Sequence, residues 1–199
     1  RTAGAHKLAQ QLGDGNFEPS DICNIDIKDQ IAPLRFTFLT RSIMCFLNPS
    51  STWASLLFFA NKEICTAVRL RYLKGADANL EIRLHKLLAG FFMKQADQNR
   101  NNTWQSKNSR AFSELPYHLA CAGCFQELED ILCNHYFIQA KCSLGLAATL
   151  MDDFNPKAIT GNKTQEKELS RFLSLHRVQQ YKSFLSRNVE IFVNYPSLE

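Results

Sequence analysis

Seven cysteines in 199 residues are the first candidates for chemistry, and four of them cluster: Cys121-Ala-Gly-Cys124 has C-x-x-C spacing, with Cys133 and Cys142 downstream. His118 and His135 lie among them. Thiolates and imidazoles at such spacing could hold zinc, which takes four ligands in tetrahedral geometry. Buried, inert thiols are the competing reading, because Gly123 between the two sulfurs is better used as a helix stop and an odd cysteine count leaves no complete disulfide framework. His6, His85, His118, His135 and His176 are scattered, with no partnered carboxylate or serine visible beside any of them. Gly161-Asn-Lys-Thr164 lacks the glycine and the strand that a phosphate-cradling loop needs. No catalytic residue and no metal ligand is therefore assigned.

The elements that must position these residues read as helices. Pro116 can open a helix, since a first-turn proline gives up only an amide that had no partner. That helix runs Tyr117–Ala122 and stops at Gly123. Phe125, Leu128, Ile131 and Leu132 then recur at helical spacing opposite Gln126, Glu127, Glu129 and Asp130, so the pair forms an αα-hairpin. A further helix, Gly145–Met151, follows Phe137–Lys141.

Upstream, His6–Leu12 is a helix candidate, and Pro19-Ser20-Asp21 offers a cap for Ile22–Gln30. Phe36, Leu39, Ile43, Phe46 and Leu47 make one helical stripe, ended by Asn48-Pro49. Ser55–Ala60 is short, apolar and aromatic, the pattern of a strand or wing. Asn61 then caps a helix with Ile64, Val68 and Tyr72 inward. Leu80–Lys94 carries Leu80, Leu84, Leu87, Leu88 and Phe91 as a stripe that must be buried, and its short link back favours the preceding half. Gln95–Asn108 is a polar linker anchored by Trp104. A last helix, Gln165–Val193, buries Leu169, Phe172, Leu173, Val178, Tyr181, Leu185 and Phe192.

Glu114–Leu119, Ala122-Gly123, Leu128, Leu132, Phe137–Lys141 and Leu150–Phe154, in that order, resemble a helical segment of large NACHT-type (STAND) proteins. In that family the segment follows a nucleotide-binding domain and a winged-helix domain, and precedes TPR or WD repeats. The resemblance makes His118 the histidine of most interest, and it carries no metal pattern at the cysteines. Phe59-Ala60-Asn61 stands where many relatives read Phe-Ser-His, a histidine that in related ATPases can reach bound ADP. Asn61 is thus a weak cofactor-binding candidate, able to offer only a neutral hydrogen bond. Its other reading is the helix cap.

The expectation is a mostly α fold: a winged-helix-like half over residues 1–97 that includes the trailing amphipathic helix, a linker near 98–107, and helical hairpins over 108–199. The implied role is a non-catalytic regulatory segment of a NACHT-type ATPase, with no cofactor of its own. The implied partners are proteins, including the adjacent nucleotide-binding domain. A free-standing helical adaptor is the alternative. Hydrophobic content of 45% and a net charge of +4 fit a globular chain and do not call for nucleic acid. Arg69, Arg71, Lys74 and Arg83 could form a basic face, but the helix carrying the first two has few other polar readers. No apolar run approaches the roughly 20 residues of a membrane span, so the expected setting is cytoplasmic. The chain starts at Arg1 and stops just after a helical pattern, which suggests a piece of a longer protein.

Overall fold

The computed structural model describes residues 17–23, 41, 43–49, 57–73, 79–159 and 163–195. The expected helix His6–Leu12 and most of the stripe from Phe36 lie outside them. By internal contacts the chain divides into two units, Arg1–Gln10 with Asp26–Glu81, and Gln11–Ile25 with Ile82–Glu199. The described structure is mostly helical, as the apolar periodicity requires.

In the first unit, β1 (Leu47–Pro49) pairs antiparallel with β2 (Leu57–Phe59), with Leu47 opposite Phe59 and Pro49 opposite Leu57. The expected helical stripe therefore fails at its end, where Met44–Phe46 is a 3₁₀ turn that leads into β1. Pro49 can sit there because a two-stranded ribbon leaves one side of each strand without a ladder partner. Helix α2 (Lys62–Tyr72) follows. Ile64 and Val68 are partly buried as expected, whereas Tyr72 is exposed.

The second unit holds the hydrophobic core. It comprises α1 (Pro19–Cys23), α3 (Leu80–Ala96, entered from the first unit), α4 (Ser109–Ala122), α5 (Phe125–Leu132), α6 (His135–Ser143), a 3₁₀ segment Ala147–Phe154, α7 (Pro156–Ile159), α8 (Lys163–Leu173) and α9 (His176–Asn194). Pro19-Ser20-Asp21 forms the start of α1, not a cap ahead of it; the Asp21 carboxylate accepts from the Glu18 amide at 3.0 Å.

Helix α3 turns a different face inward from the one its leucines suggest. Leu84, Leu88 and Phe91 are exposed, while Ala89, Gly90, Phe92 and Ala96 are buried. Small residues let another backbone come close, and α1 does so: a Cβ on Gly90 would lie 2.5 Å from both the Pro19 carbonyl oxygen and the Ile22 Cβ. Ala89, Phe92 and Ala96 join Trp104, Phe112 and Leu119 in one core cluster. The helix thus docks on the hairpin that follows it, contrary to the expectation from its short upstream link. Trp104 does anchor the 98–107 stretch, its ring 5.1 Å from Phe137 and 6.4 Å from Phe112.

Helix α4 starts seven residues before the expected proline. Asn108 caps it, accepting from the Ala111 amide at 3.2 Å, and Pro116 sits inside. An interior proline costs about 3 kcal/mol. Burial of Ala111, Phe112, Leu115 and Leu119 offsets that cost, since an aliphatic or aromatic side chain gains roughly 1.5–3 kcal/mol when fully buried. At the other end Gly123 takes φ 73°, the Gly123 amide donates to Ala120 and the Cys124 amide donates to Leu119, a Schellman closure. Gly145 (φ 75°) repeats it after α6, with its own amide donating to Cys142 and that of Leu146 to Lys141. Phe137–Lys141 lies within α6, and the expected helix at Gly145 is a stop followed by the 3₁₀ segment.

The last expected helix is two. At the break the Ser174 hydroxyl donates to the Arg171 carbonyl at 2.6 Å, Leu175 becomes extended (φ −58°, ψ 140°), and the Gln179 side-chain amide donates to the Leu173 carbonyl. Serine competing for backbone acceptors is a common way to end a helix. All seven residues expected inward are buried or partly buried against the core.

Two glycine substitutions separate two causes. A Cβ at Gly123 would touch nothing within 4 Å, so Gly123→Ala acts through backbone strain alone and should cost about 1 kcal/mol or more in denaturant unfolding, with Gly123→Asn costing less. Gly90→Ala meets backbone and side chain at once; it should destabilise by about 1–3 kcal/mol and raise amide exchange in Pro19–Cys23, which Gly123→Ala should leave unchanged.

Candidate functional site

Lys141 and Asp153 form an ion pair in the core of the second unit, and Lys141 is only 1% exposed. Helix α6 puts Phe137, Ile138, Lys141 and Cys142 on its inner face. In the 3₁₀ segment, residues three apart eclipse, so Ala147, Leu150 and Asp153 point the same way and all are buried. Burial pushes the Asp153 carboxyl up from its ordinary 3.8 to about 6, against the pull of the Lys141 ammonium. Sequence reading missed this pair. The available signals were a lysine four residues after Phe137 on a helical face, and an aspartate three after Leu150.

His118 is buried in α4, where its Nδ1 lies 2.8 Å from Nδ1 of His85 on α3. Its ring stacks on Phe92 at 5.5 Å, and the Arg110 guanidinium lies over the same Phe92, 5.6 Å from its centroid. Burial first, and then the nearby His85 and Arg110, push His118 down to about 4. It is neutral at pH 7, so the Glu114 carboxylate at 3.6 Å is a polar neighbour and not an ion partner. One imidazole donates to the other. The arrangement joins two helices rather than poising a general base.

The C-x-x-C sulfurs do not converge. Cys121 Sγ lies 3.9 Å from the Ile159 carbonyl, whereas Cys124 Sγ lies 3.8 Å from a Glu18 carboxylate oxygen. Burial raises the thiol of Cys124 to about 12 and that of Cys133 to about 11, and raises that of Cys142, all away from the thiolate that zinc binds. Among the described residues the potential ligands that do meet are Glu18, Cys124 and Glu127, within 4.8 Å, and Lys86 Nζ already sits 2.9 Å from Glu18.

In the first unit the Asn61 side chain accepts from the Ile64 amide at 2.8 Å, the geometry of a helix cap. Arg69 pairs with Glu81, Arg71 is exposed, and Lys74 lies outside the described residues. Among the described residues no helix is long and apolar enough to cross a membrane.

The ion pair can be tested by a cycle. Lys141→Met strands a buried carboxylate and should cost roughly 3–5 kcal/mol at pH 7, while Lys141→Met combined with Asp153→Leu should cost much less. Because the folded carboxyl holds its proton more tightly than the unfolded one, its contribution to stability is full below pH 3.8 and is lost as pH rises through about 6. The Lys141→Met defect should therefore shrink as pH falls from 7 toward 4; a constant defect across that range would contradict the assignment.

Comparison with known proteins bears on what this unit is for. The APAF-1 helical domain family matches residues 82–199. That match begins at Ile82, where the contact division also begins the long segment of the second unit. Telomerase protein component 1 of Rattus norvegicus is 27% identical over 165 residues, and its Mus musculus counterpart 26% over the same length. Each alignment covers 82% of this chain and 6% of the relative, so the chain spans a small fraction of those proteins. No solved structure matches.

Proposed function

This chain belongs to the APAF-1 helical domain family, and from that premise we propose that it is a non-catalytic regulatory segment of a NACHT-type ATPase. In this reading it links a nucleotide-binding domain to downstream TPR or other repeats, in a cytoplasmic protein. Its motif order resembles tetratricopeptide repeat protein 41, nephrocystin-3 and the telomerase-associated NACHT/WD-repeat protein. The observation that carries the proposal is the family match over a unit whose core, from Ala89 to Leu185, is one cluster. Such a unit can move as one body and pass a displacement from one neighbour to the next.

The first unit supports a winged-helix reading through its β1–β2 ribbon followed by the capped helix α2. Asn61 would face nucleotide there only as a neutral donor, because its Oδ1 is engaged by the Ile64 amide. Partners are proteins in this proposal, and the exposed Leu84, Leu88 and Phe91 of α3, with Phe184, Ile191 and Val193 of α9, are surfaces for neighbouring domains.

Two measurements test it. Isothermal titration of the 199-residue chain with ATP should show no binding, and micromolar affinity would overturn the non-catalytic reading. In the longer protein, hydrogen exchange at the outer faces of α3 and α9 should differ between ADP and ATP states. Identical exchange in the two states would favour the free-standing adaptor.

A further inference from the structure

Beyond the end of α3 the chain turns through Asn101-Asn102-Thr103, where hydrogen bonds converge on a single peptide link. The Thr103 hydroxyl donates to Asn101 Oδ1 at 2.6 Å, and the Thr103 amide donates to the same oxygen at 3.2 Å. Two donors on one carbonyl oxygen polarise the Asn101 carboxamide and leave its carbon more electrophilic. They also fold the carboxamide back along the chain, because the ring closed by the Thr103 amide passes through the Asn102 nitrogen. The Asn102 amide in turn donates to Asp97 Oδ2 at 2.7 Å. Asp97 is 5% exposed, so this carboxylate meets the amide in a site largely stripped of water, whereas Asn101 is exposed. On either side of Asn101, Arg100 (φ 54°) and Asn102 (φ 58°) hold left-handed backbone without being glycine. The arrangement is thus set before any reaction begins, which lowers the entropy cost of closing a ring.

We propose that Asn101 is a self-modification site, at which the chain cyclises and then deamidates without an enzyme. Asp97 takes the Asn102 amide proton as that nitrogen bonds to Asn101 Cγ, and the two Thr103 donors hold the oxyanion that forms on Oδ1. The Cγ–Nδ2 bond then breaks. Nδ2 leaves as ammonia with one added proton, matching the one that Asp97 received, and a five-membered succinimide remains. Water opens this ring at either carbonyl to give aspartate or isoaspartate; one water enters, one ammonia departs, and nothing is oxidised or reduced. The neighbouring asparagines lack the set. The amide after Asn99 donates to the Asp97 main-chain carbonyl at 3.1 Å, and the amide after Asn102 donates to Asn101. The product places a new carboxylate near buried Asp97, and its iso form adds one backbone carbon ahead of the Trp104 anchor. Asn101 is therefore a slow, one-way timer on the stretch that joins α3 to α4.

Mass spectrometry of the incubated, folded chain tests this. Trypsin cuts after Arg100 and Lys107, so Asn101–Lys107 is released as one peptide, apart from Asn99. The expected result is a gain of about one mass unit at Asn101, at least about tenfold faster than in a synthetic peptide spanning residues 97–107. Both aspartate and isoaspartate should appear there, and Asn99 and Asn102 of the same chain should lag by a similar factor. Asp97→Asn removes the base and Thr103→Val one oxyanion donor, and each should slow the reaction at least about tenfold. Thr103→Ser keeps the hydroxyl and should keep the rate, and amide exchange across α4 checks that each variant is folded. Should Asp97→Asn fail that check, the Thr103→Val and Thr103→Ser pair decides alone. A folded-chain rate no faster than the peptide's, equal modification at all three asparagines, or an unslowed Thr103→Val chain would each overturn the proposal.

Discussion

The charged pair between Lys141 and Asp153 is the constraint on which the second unit turns. A lysine on the inner face of a helix must find a counter-charge in the same dry interior, because an isolated buried charge costs several kcal/mol. The partner has to come from a segment that can bring an aspartate inward without breaking the apolar ridge around it. A 3₁₀ period of three does this, aligning Asp153 with Ala147 and Leu150 while Phe154 fills the space beyond. Gly145 is needed to stop α6 one turn after Lys141 so that the segment can fold back. The pair in turn fixes the surface on which α9 lays Val178 and Leu185.

Many of the polar side chains are engaged by this architecture. His118 spends its Nδ1 on His85, Cys121 leans on a backbone carbonyl, and Asn61, Asn108 and Asn134 all close helix starts. Among the described residues, the buried side-chain nitrogens without a hydrogen-bond partner include the Trp104 indole and Arg110 Nε, while the Asp97 carboxylate accepts from the Asn102 amide.

Much of the fold was legible because helical periodicity reports burial directly. The inward residues of α8 and α9, the Gly123 stop and the anchoring Trp104 all follow from spacing and residue type. Other features did not, and for three of them the physical reason is specific. Pro116 reads as a helix start because local cost is visible in sequence while the compensating burial of Phe112 and Leu115 is not. Helix α3 looks as if its leucines must face inward, but close approach of α1 at Gly90 rewards the side with the smallest residues. The break at Ser174 depends on one hydroxyl and one amide finding backbone oxygens, which no periodicity encodes. The candidate site was less legible still, since Lys141 and Asp153 are single polar residues in apolar-spaced stretches and only the fold brings them together.

The notch at Gly90 also bears on where this unit begins. The residues that fill it, Pro19 and Ile22, come from Gln11–Ile25, which precedes the whole of Asp26–Glu81 in the chain. The unit is therefore discontinuous in sequence: a fragment cut at Ile82, where the family resemblance starts, would carry an open slot along α3 and lack the piece that plugs it. Recombining that fragment with a peptide spanning residues 11–25 would be complementation of one fold from two pieces, in the manner of a split protein.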